Sequence, residues 1–444
     1  MKILKINKKS ILELFLSILF LIPFYSIRIV RDNLNIEVKN LFLDSNITIL
    51  LILIFLFMLI IIFSKYKRNS KSSKKIKKII IFKIIVDILL ILLNLYKDIS
   101  QQYFWIQFLW IALPMYFSLL YVLLIDKLEL NYRKIIYYGI VFFVLYVVMN
   151  LLINVFIYDF DFTEDRLIST GGGSVIYGYT IVLVLSLLLL FEDLFSRKQF
   201  TIIVILLFIG SILTGSRASI IPFVVIIIFY LLYSRRYSLV FKSFLIGILA
   251  ISIIIPDNLL VLLVPRITNL YDGSRFDTLL NSIKVFNQSN VEELLTGYGL
   301  SGFFPYQEWL NSSNRGVEFI NYNTFNFNGY SFLVQPHNSF IYMLIETGLI
   351  GFLLLVVFIT YYLIYFISKK DYMRTLFVFT FAFLNMFDSV IFVAPDSASL
   401  WWTMLFIVIL SSNIQSSNNK MIFTQDFIHR NDVSYIDMKG EQNI

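Results

Sequence analysis

The chain is a succession of long apolar runs, rich in Ile, Leu and Phe, separated by short polar or charged breaks. A run of about 18 or more apolar residues is long enough to cross a bilayer as a helix. Reading the runs against their breaks predicts about twelve spanning helices. The predicted spans are Ile11–Ile27, Ile47–Ser64, Ile79–Tyr96, Phe104–Ile125, Ile135–Tyr158, Ser174–Phe191, Phe200–Gly215, Ser219–Tyr233, Ser243–Val264, Ser339–Phe366, Leu376–Val393 and Ser399–Ser411.

The basic residues predict how these spans are oriented, since cytoplasmic loops carry an excess of Lys and Arg. Lysines precede the first run, and the segment Lys65–Lys78 is the most basic stretch of the chain. The loop Asp159–Asp165, by contrast, is acidic. We therefore expect both termini in the cytoplasm and the loop Arg266–Gln335 outside the cell membrane. The first run resembles a signal peptide without a cleavage site, so we interpret it as an uncleaved anchor.

This pattern predicts an all-α integral membrane protein with four regions. Residues 1–264 hold about nine spans, 265–338 form the large extracytoplasmic loop, 339–412 hold about three spans, and 413–444 form a polar cytoplasmic tail.

Composition narrows the chemistry that is available. Hydrophobic residues make up 58% of the chain and charged residues 15%, against about 25% charged in soluble domains. The net charge of +8 reflects membrane topology rather than binding to nucleic acid. There is no cysteine, which excludes thiolate chemistry, and the only histidines are His337 and His429.

The large loop is about 70 residues long, far beyond an ordinary connection, and such loops usually carry function. Ser274 and Asp277 can form a capping box ahead of apolar residues at helical spacing, which predicts a helix in the loop. The rest is rich in Gly, Asn and aromatic residues. Tyr298 and Trp309 are candidates for stacking on sugar rings, although such aromatics can also pack the loop onto the bilayer surface.

A short motif follows the loop. His337 and Asn338 are followed by nine residues, then Gly348, two residues and Gly351. Here the chain resembles the superfamily of O-antigen ligases and O-antigen polymerases, which share many spans, a large late outer loop and this signature. The resemblance covers about Phe200 to Phe366. It also implies a likeness to GT-C-type membrane glycosyltransferases.

The resemblance implies an enzyme that polymerises oligosaccharide repeat units carried on undecaprenyl pyrophosphate, at the outer face of the membrane. The product would be a capsular, exo- or O-antigen polysaccharide. His337 is then the general base, Arg217 and Arg275 hold the donor pyrophosphate, and Arg266 competes with Arg275 for that role. Asn338, Tyr298 and Trp309 are expected to bind substrate, while Gly348 and Gly351 allow close approach of helices. No metal or other cofactor is expected.

Each of these assignments has a simpler alternative. His337 could be an interfacial histidine bonded to loop backbone, and Arg217 a snorkelling residue that fixes topology. Asp159 and Asp161 have the spacing of a metal site, but a solvated loop is the simpler interpretation. Glu346 should face away from His337, because nine residues are about two and a half helical turns.

Three other functions remain open. The sister reaction is ligation of the same glycan to lipid A core. The Ile-, Lys- and Asn-rich composition favours a source without lipid A, and therefore a polymerase. A flippase or transporter for lipid-linked glycan would need more charges within its spans, and an assembly scaffold would not need His337. Expected partners are the lipid-linked oligosaccharide and membrane lipids, and can include a flippase and a chain-length regulator.

Overall fold

The computed structural model describes residues 8–19, 71–94, 101–157, 167, 174–233, 273–300, 324–327, 330–333, 337–388, 390–393 and 397–411. The described residues are predominantly helical, which confirms the predicted helical character. In chain order the helices are α1 (Lys8–Leu19), α2 (Lys71–Asn94), α3 (Gln101–Lys127), α4 (Tyr132–Ile157), α5 (Ser174–Leu190), α6 (Arg197–Leu213), α7 (Arg217–Tyr233), α8 (Gly273–Gln288), α9 (Val291–Thr296), α10 (Ser339–Ser368), α11 (Tyr372–Phe387), α12 (Val390–Val393) and α13 (Ser397–Ser411).

Two of the described helices have both the length and the apolarity of membrane spans, and several others are apolar but shorter. Tyr132–Phe156 and Ser339–Ser368 are each long enough to cross a bilayer, and α5, α11, α13 and most of α7 are shorter apolar helices. The predicted spans Ile47–Ser64 and Ser243–Val264 lie outside the described residues. The total of about twelve spans, the GT-C likeness and the four-region division of the chain stay predictions.

The centre of the bundle is formed by α5 and α13, which are apolar on every side and almost completely buried. The indole Nε1 of Trp401 in α13 donates to the Thr180 hydroxyl of α5 at 3.1 Å. Hydroxyls of α13 also bond across to α3, where Thr403 donates to Ser118 at 2.9 Å. These bonds satisfy buried polar groups and fix the relative positions of the helices.

The outer helices expose apolar stripes instead of polar ones. In α2, for example, Ile81, Ile85 and Ile88 are exposed at helical spacing, and α10 exposes Leu353 and Val357 in the same way. Contiguous apolar surface of this kind is typical of a face that binds a membrane or another protein. An ion pair lies within α2, where Lys83 bonds to Asp87.

One end of the bundle carries a group of ion pairs and is called the basic end below. Arg133 bonds to Asp193, Arg374 bonds to Asp371, and the Lys134 ammonium lies 3.6 Å from Glu13. These residues lie where α4 and α11 begin and where α5 ends. The opposite end, where α2 ends and α10 begins, is called the His337 end.

Two predicted spans contain interruptions of the helix that the apolar pattern does not indicate. Within Leu376–Val393, α11 ends at Phe387, Asp388 has extended backbone, and α12 begins at Val390. Within Ser339–Phe366, α10 is broken at Gly348, where φ is 64° and ψ is −167°. Both interruptions lie at the His337 end.

The large loop contains more than the predicted helices. Its helix α8 begins at Gly273, so Ser274 is already inside the first turn and does not precede the helix as predicted. A two-stranded antiparallel hairpin follows, formed by β1 (Thr324–Phe327) and β2 (Tyr330–Leu333), with Thr324 opposite Leu333. The expectation of short helices alone therefore missed a strand pair.

Candidate functional site

The break at Gly348 divides α10 into a first arm, residues 339–347, and a second arm, residues 349–368. The rings of Phe340 and Phe352 lie with centroids 6.5 Å apart. In a straight helix, residues twelve positions apart would be separated by about 18 Å along the axis. The first arm is therefore folded back towards the second, which moves His337 away from the axis of the span.

Hydrogen bonds between main-chain atoms hold the first arm in this position, and this contact between the end of α9 and the break in α10 is called the joint below. The end of α9 packs against the break, where the amide of Tyr298 donates to the Ile345 carbonyl at 2.9 Å and that of Gly299 to the Glu346 carbonyl at 2.8 Å. These bonds satisfy carbonyls that lose their helical partners at the break. Gly297 and Gly348 both have positive φ, and a Cβ on either would overlap the backbone of the other. Gly348 and Gly297 thus permit the end of α9 to approach the backbone of α10 closely.

The beginning of the first arm is fixed by its cap. The side-chain oxygen of Asn338 accepts from the amides of Phe340 at 2.9 Å and Ile341 at 3.0 Å, so Asn338 is the N-cap. The hydroxyl of Ser339 lies 2.9 Å from the side-chain oxygen of Asn385 and 3.0 Å from the Asp388 carbonyl. The first arm is therefore attached to the end of α11.

This attachment brings His337 beside Asp388. The imidazole Nδ1 lies 3.4 Å from a carboxylate oxygen of Asp388, at the long end of hydrogen-bond distances. The side chain of His337 is 31% exposed and that of Asp388 is 13% exposed. A partly exposed imidazole whose Nδ1 lies beside a carboxylate is an arrangement that can serve a general base and its orienting group.

Sequence reasoning missed Asp388, although a signal was present. The residue stands in the predicted span Leu376–Val393, and a carboxylate within a membrane segment is a functional candidate by default. The predicted orientation of Glu346 away from His337 stays a prediction. The structure does show that Glu346 is fully buried in the first arm.

The turn before Arg217 lies at the same end of the bundle. Gly178 of α5 packs so closely on this turn that a Cβ there would lie 2.6 Å from the Ser219 hydroxyl. The next residue, Tyr179, has its hydroxyl 3.5 Å from the carbonyl of Phe387, which precedes Asp388. The backbone of Arg217, the first residue of α7, is thereby linked through α5 to the surroundings of His337.

The structure describes only some of the other predicted site residues. The backbone of Arg275 lies in the first turn of α8, and α8 packs against α10. Tyr298 is half-buried, and its hydroxyl is 2.8 Å from that of Ser289. Arg266, Trp309 and the pair Asp159 and Asp161 lie outside the described residues. The structure thus gathers His337, Asn338, Tyr298 and the Arg217 turn at one end.

Comparison with known families supports this location. Residues 202–356 match the family model described as O-antigen ligase. The predicted resemblance to the superfamily of O-antigen ligases and polymerases is therefore confirmed for this region. The O-antigen ligase region runs from α6 into the second arm of α10, so it includes Arg217, Arg275, His337 and both motif glycines, whereas Asp388 follows it. No curated protein matches the chain.

Proposed function

We propose that the protein is a membrane glycosyltransferase that polymerises lipid-linked oligosaccharide repeat units at the outer face of the cell membrane. The observation that carries the proposal is the His337–Asp388 pair. His337 lies inside the O-antigen ligase region, directly before the first arm, and Asp388 lies at the end of α11, beyond that region. The substrate proposed is a glycan on undecaprenyl pyrophosphate, and the product is a capsular, exo- or O-antigen polysaccharide.

In the proposed reaction, His337 removes the proton from a hydroxyl of the acceptor sugar. The resulting oxygen attacks the anomeric carbon of the donor glycan. The bond between that carbon and the pyrophosphate oxygen breaks, and undecaprenyl pyrophosphate leaves with the bonding electron pair. Asp388 accepts a hydrogen bond from Nδ1–H, which leaves Nε2 as the atom that takes the proton.

The leaving pyrophosphate needs positive charge, and we assign this role to Arg217 and to Arg275, with Arg266 as its competitor. Arginine binds phosphate oxygens with a planar, two-pronged set of N–H donors. Arg217 also begins α7, and the amino end of a helix stabilises an anion. Because the arginines supply the charge, the proposed reaction proceeds without a metal ion.

The distribution of charge supports the outer location of the site. Exposed lysines such as Lys198, Lys369 and Lys370 belong to the basic end, which the positive-inside rule assigns to the cytoplasm. The His337 end is then outside, where exported lipid-linked glycan is available. Asn338, Tyr298 and Trp309 remain the proposed contacts to the sugars, and a flippase and a chain-length regulator are the proposed partners.

The experiment that tests this proposal replaces His337 by Ala and measures surface glycan length on a gel. Loss of a general base lowers the rate about 10²–10⁴-fold, so long chains should disappear. His429→Ala is the matched control, because it removes the only other histidine, in the polar tail. Arg217→Ala should give the same loss and Arg217→Lys only partial activity. Unchanged long chains in stably expressed His337→Ala protein would refute the proposal.

Purified protein distinguishes the polymerase from its alternatives. With lipid-linked repeat units alone, in buffer containing EDTA, the polymerase should extend chains. A requirement for lipid A core as acceptor would identify a ligase. Movement of labelled lipid-linked oligosaccharide across liposomes without chain growth would identify a flippase, and loss of activity in EDTA would contradict metal independence.

A further inference from the structure

We infer that the loop helix α9 is embedded in the lipid of the leaflet at the His337 end, with Val291 and Leu295 as its membrane-contacting side chains. The large loop was predicted to lie outside the membrane as a whole. This inference assigns part of it to the bilayer, and its partner is the boundary between lipid headgroups and acyl chains.

The first observation is the exposed apolar face of α9. Val291 is 73% exposed and Leu295 is 45% exposed. They are four residues apart and so lie on one face of the helix. Glu293 lies on the opposite side of this short helix, where it forms a capping box with Asn290, and Glu292 lies at the border between the two sides. A helix with one apolar and one polar side is the kind that lies in a membrane interface.

The second observation is the position of α9 along the axis of the bundle, relative to the edge of the hydrocarbon core. The backbone of Leu295 and Gly297 meets Gly348, so Leu295 is a close neighbour of Leu349. Leu349 begins the exposed apolar stripe of the second arm, which continues through Leu353 and Val357. The second arm is about 30 Å long, which equals the thickness of the hydrocarbon core. Leu349 therefore marks the edge of that core, and α9 lies beside it.

These observations favour lipid over other occupants of the face. The face lies beside the exposed apolar stripe that begins at Leu349, and the side chains of Val291 and Leu295 gain free energy by leaving water. Helix α9 contains no Lys or Arg. Its attachment should therefore depend on apolar burial and not on attraction to anionic headgroups.

The absence of native cysteine permits a direct test with the full-length protein. Single variants Val291→Cys, Leu295→Cys and Glu292→Cys are labelled with bimane in phosphatidylcholine nanodiscs. Fluorescence is quenched either by doxyl-labelled lipid or by aqueous iodide. We expect the ratio of lipid to aqueous quenching to exceed one at positions 291 and 295 and to fall below one at 292. Adding phosphatidylglycerol should leave the ratios unchanged.

Leu353→Cys serves as the control for folding and insertion, because it belongs to the membrane stripe and should always be quenched by lipid. If Leu353→Cys is quenched by lipid while the labels at positions 291 and 295 are quenched mainly by iodide, α9 is in water and the inference is wrong. Weak quenching by both agents at 291 and 295 would show that protein, including a second copy of the chain, covers the face, and would also overturn it. The experiment measures the depth of each label in the bilayer, so its result does not depend on the proposed catalytic function.

Discussion

At the scale of single residues, the geometry around His337 depends most directly on Asp388. The carboxylate sits where α11 is interrupted, and the same interruption leaves its carbonyl next to the Ser339 hydroxyl. Ser339 also meets Asn385 of α11. The end of α11 therefore holds the start of the first arm at two points and the imidazole at a third. In the proposed reaction Asp388 is a positioning residue, since it acts through His337.

We predict that Asp388→Asn lowers kcat strongly and leaves KM for the lipid-linked donor nearly unchanged. An amide can present its N–H₂ group to the imidazole, which permits the wrong tautomer, and comparable changes in other enzymes cost up to about 10⁴-fold. Asp388→Glu should restore part of the activity. Both constants are measured with purified protein and lipid-linked repeat units.

The control for this prediction is Asp371→Asn, at the other end of the same helix. Asp371 caps α11 through the Arg374 amide at 3.2 Å and bonds to the Arg374 side chain. Its loss should lower stability without a selective loss of kcat. Equal kcat values for Asp388→Asn and the unmodified enzyme would show that Asp388 does not orient His337.

At the scale of helices, sequence patterns predicted the described spans well but not their interruptions. A long apolar run locates a span, because a helix must have a minimum length and hydropathy to cross a bilayer. The breaks depend on contacts distant in sequence, since Gly348 opens where Gly297, from another part of the chain, approaches its backbone. His337 and the motif glycines stand out in the sequence, whereas the contact between Asp388 and His337 could not be predicted, because it depends on how the first arm meets the end of α11.

We predict that Gly348→Ala and Gly297→Ala each reduce glycan chain length as His337→Ala does. An L-residue at a left-handed backbone position costs roughly 1–2 kcal/mol, and the added Cβ must also displace the opposing backbone. The joint would open and move the first arm with His337. Because both changes disturb one joint, the double variant should be little worse than either single variant.

Leu349→Ala is the matched control, as it alters the adjacent exposed side chain without changing backbone conformation. Its chain length should be normal. Each variant is compared at equal membrane abundance, and thermal stability of the purified proteins reports on folding. Additive losses in the double variant, or normal chain length in both single variants, would show that the joint does not position the histidine.

At the scale of the whole molecule, the two ends of the bundle differ in chemistry. The basic end is held by ion pairs such as Arg374–Asp371 and Arg133–Asp193. The His337 end is held by hydrogen bonds in which main-chain groups take part, as where the Leu300 amide donates to the Asn94 side chain at 2.7 Å. The loop helix α9 joins this end, where the amides of Tyr298 and Gly299 donate to carbonyls of the first arm. This asymmetry supports a site facing away from the cytoplasm.

The asymmetry leads to a prediction about topology. In intact cells, a membrane-impermeant maleimide should label Asn287→Cys in α8 but not Lys198→Cys or Lys369→Cys at the basic end, because Lys and Arg favour the cytoplasmic side. All three native side chains are exposed, so permeabilised cells should allow labelling at every position and confirm that each variant folds with an accessible thiol. The cysteine-free chain contributes no background. Labelling of Lys369→Cys without permeabilisation would place the basic end outside and His337 in the cytoplasm. Donor glycan would then have to be used before export, which would contradict the proposed order of export followed by polymerisation.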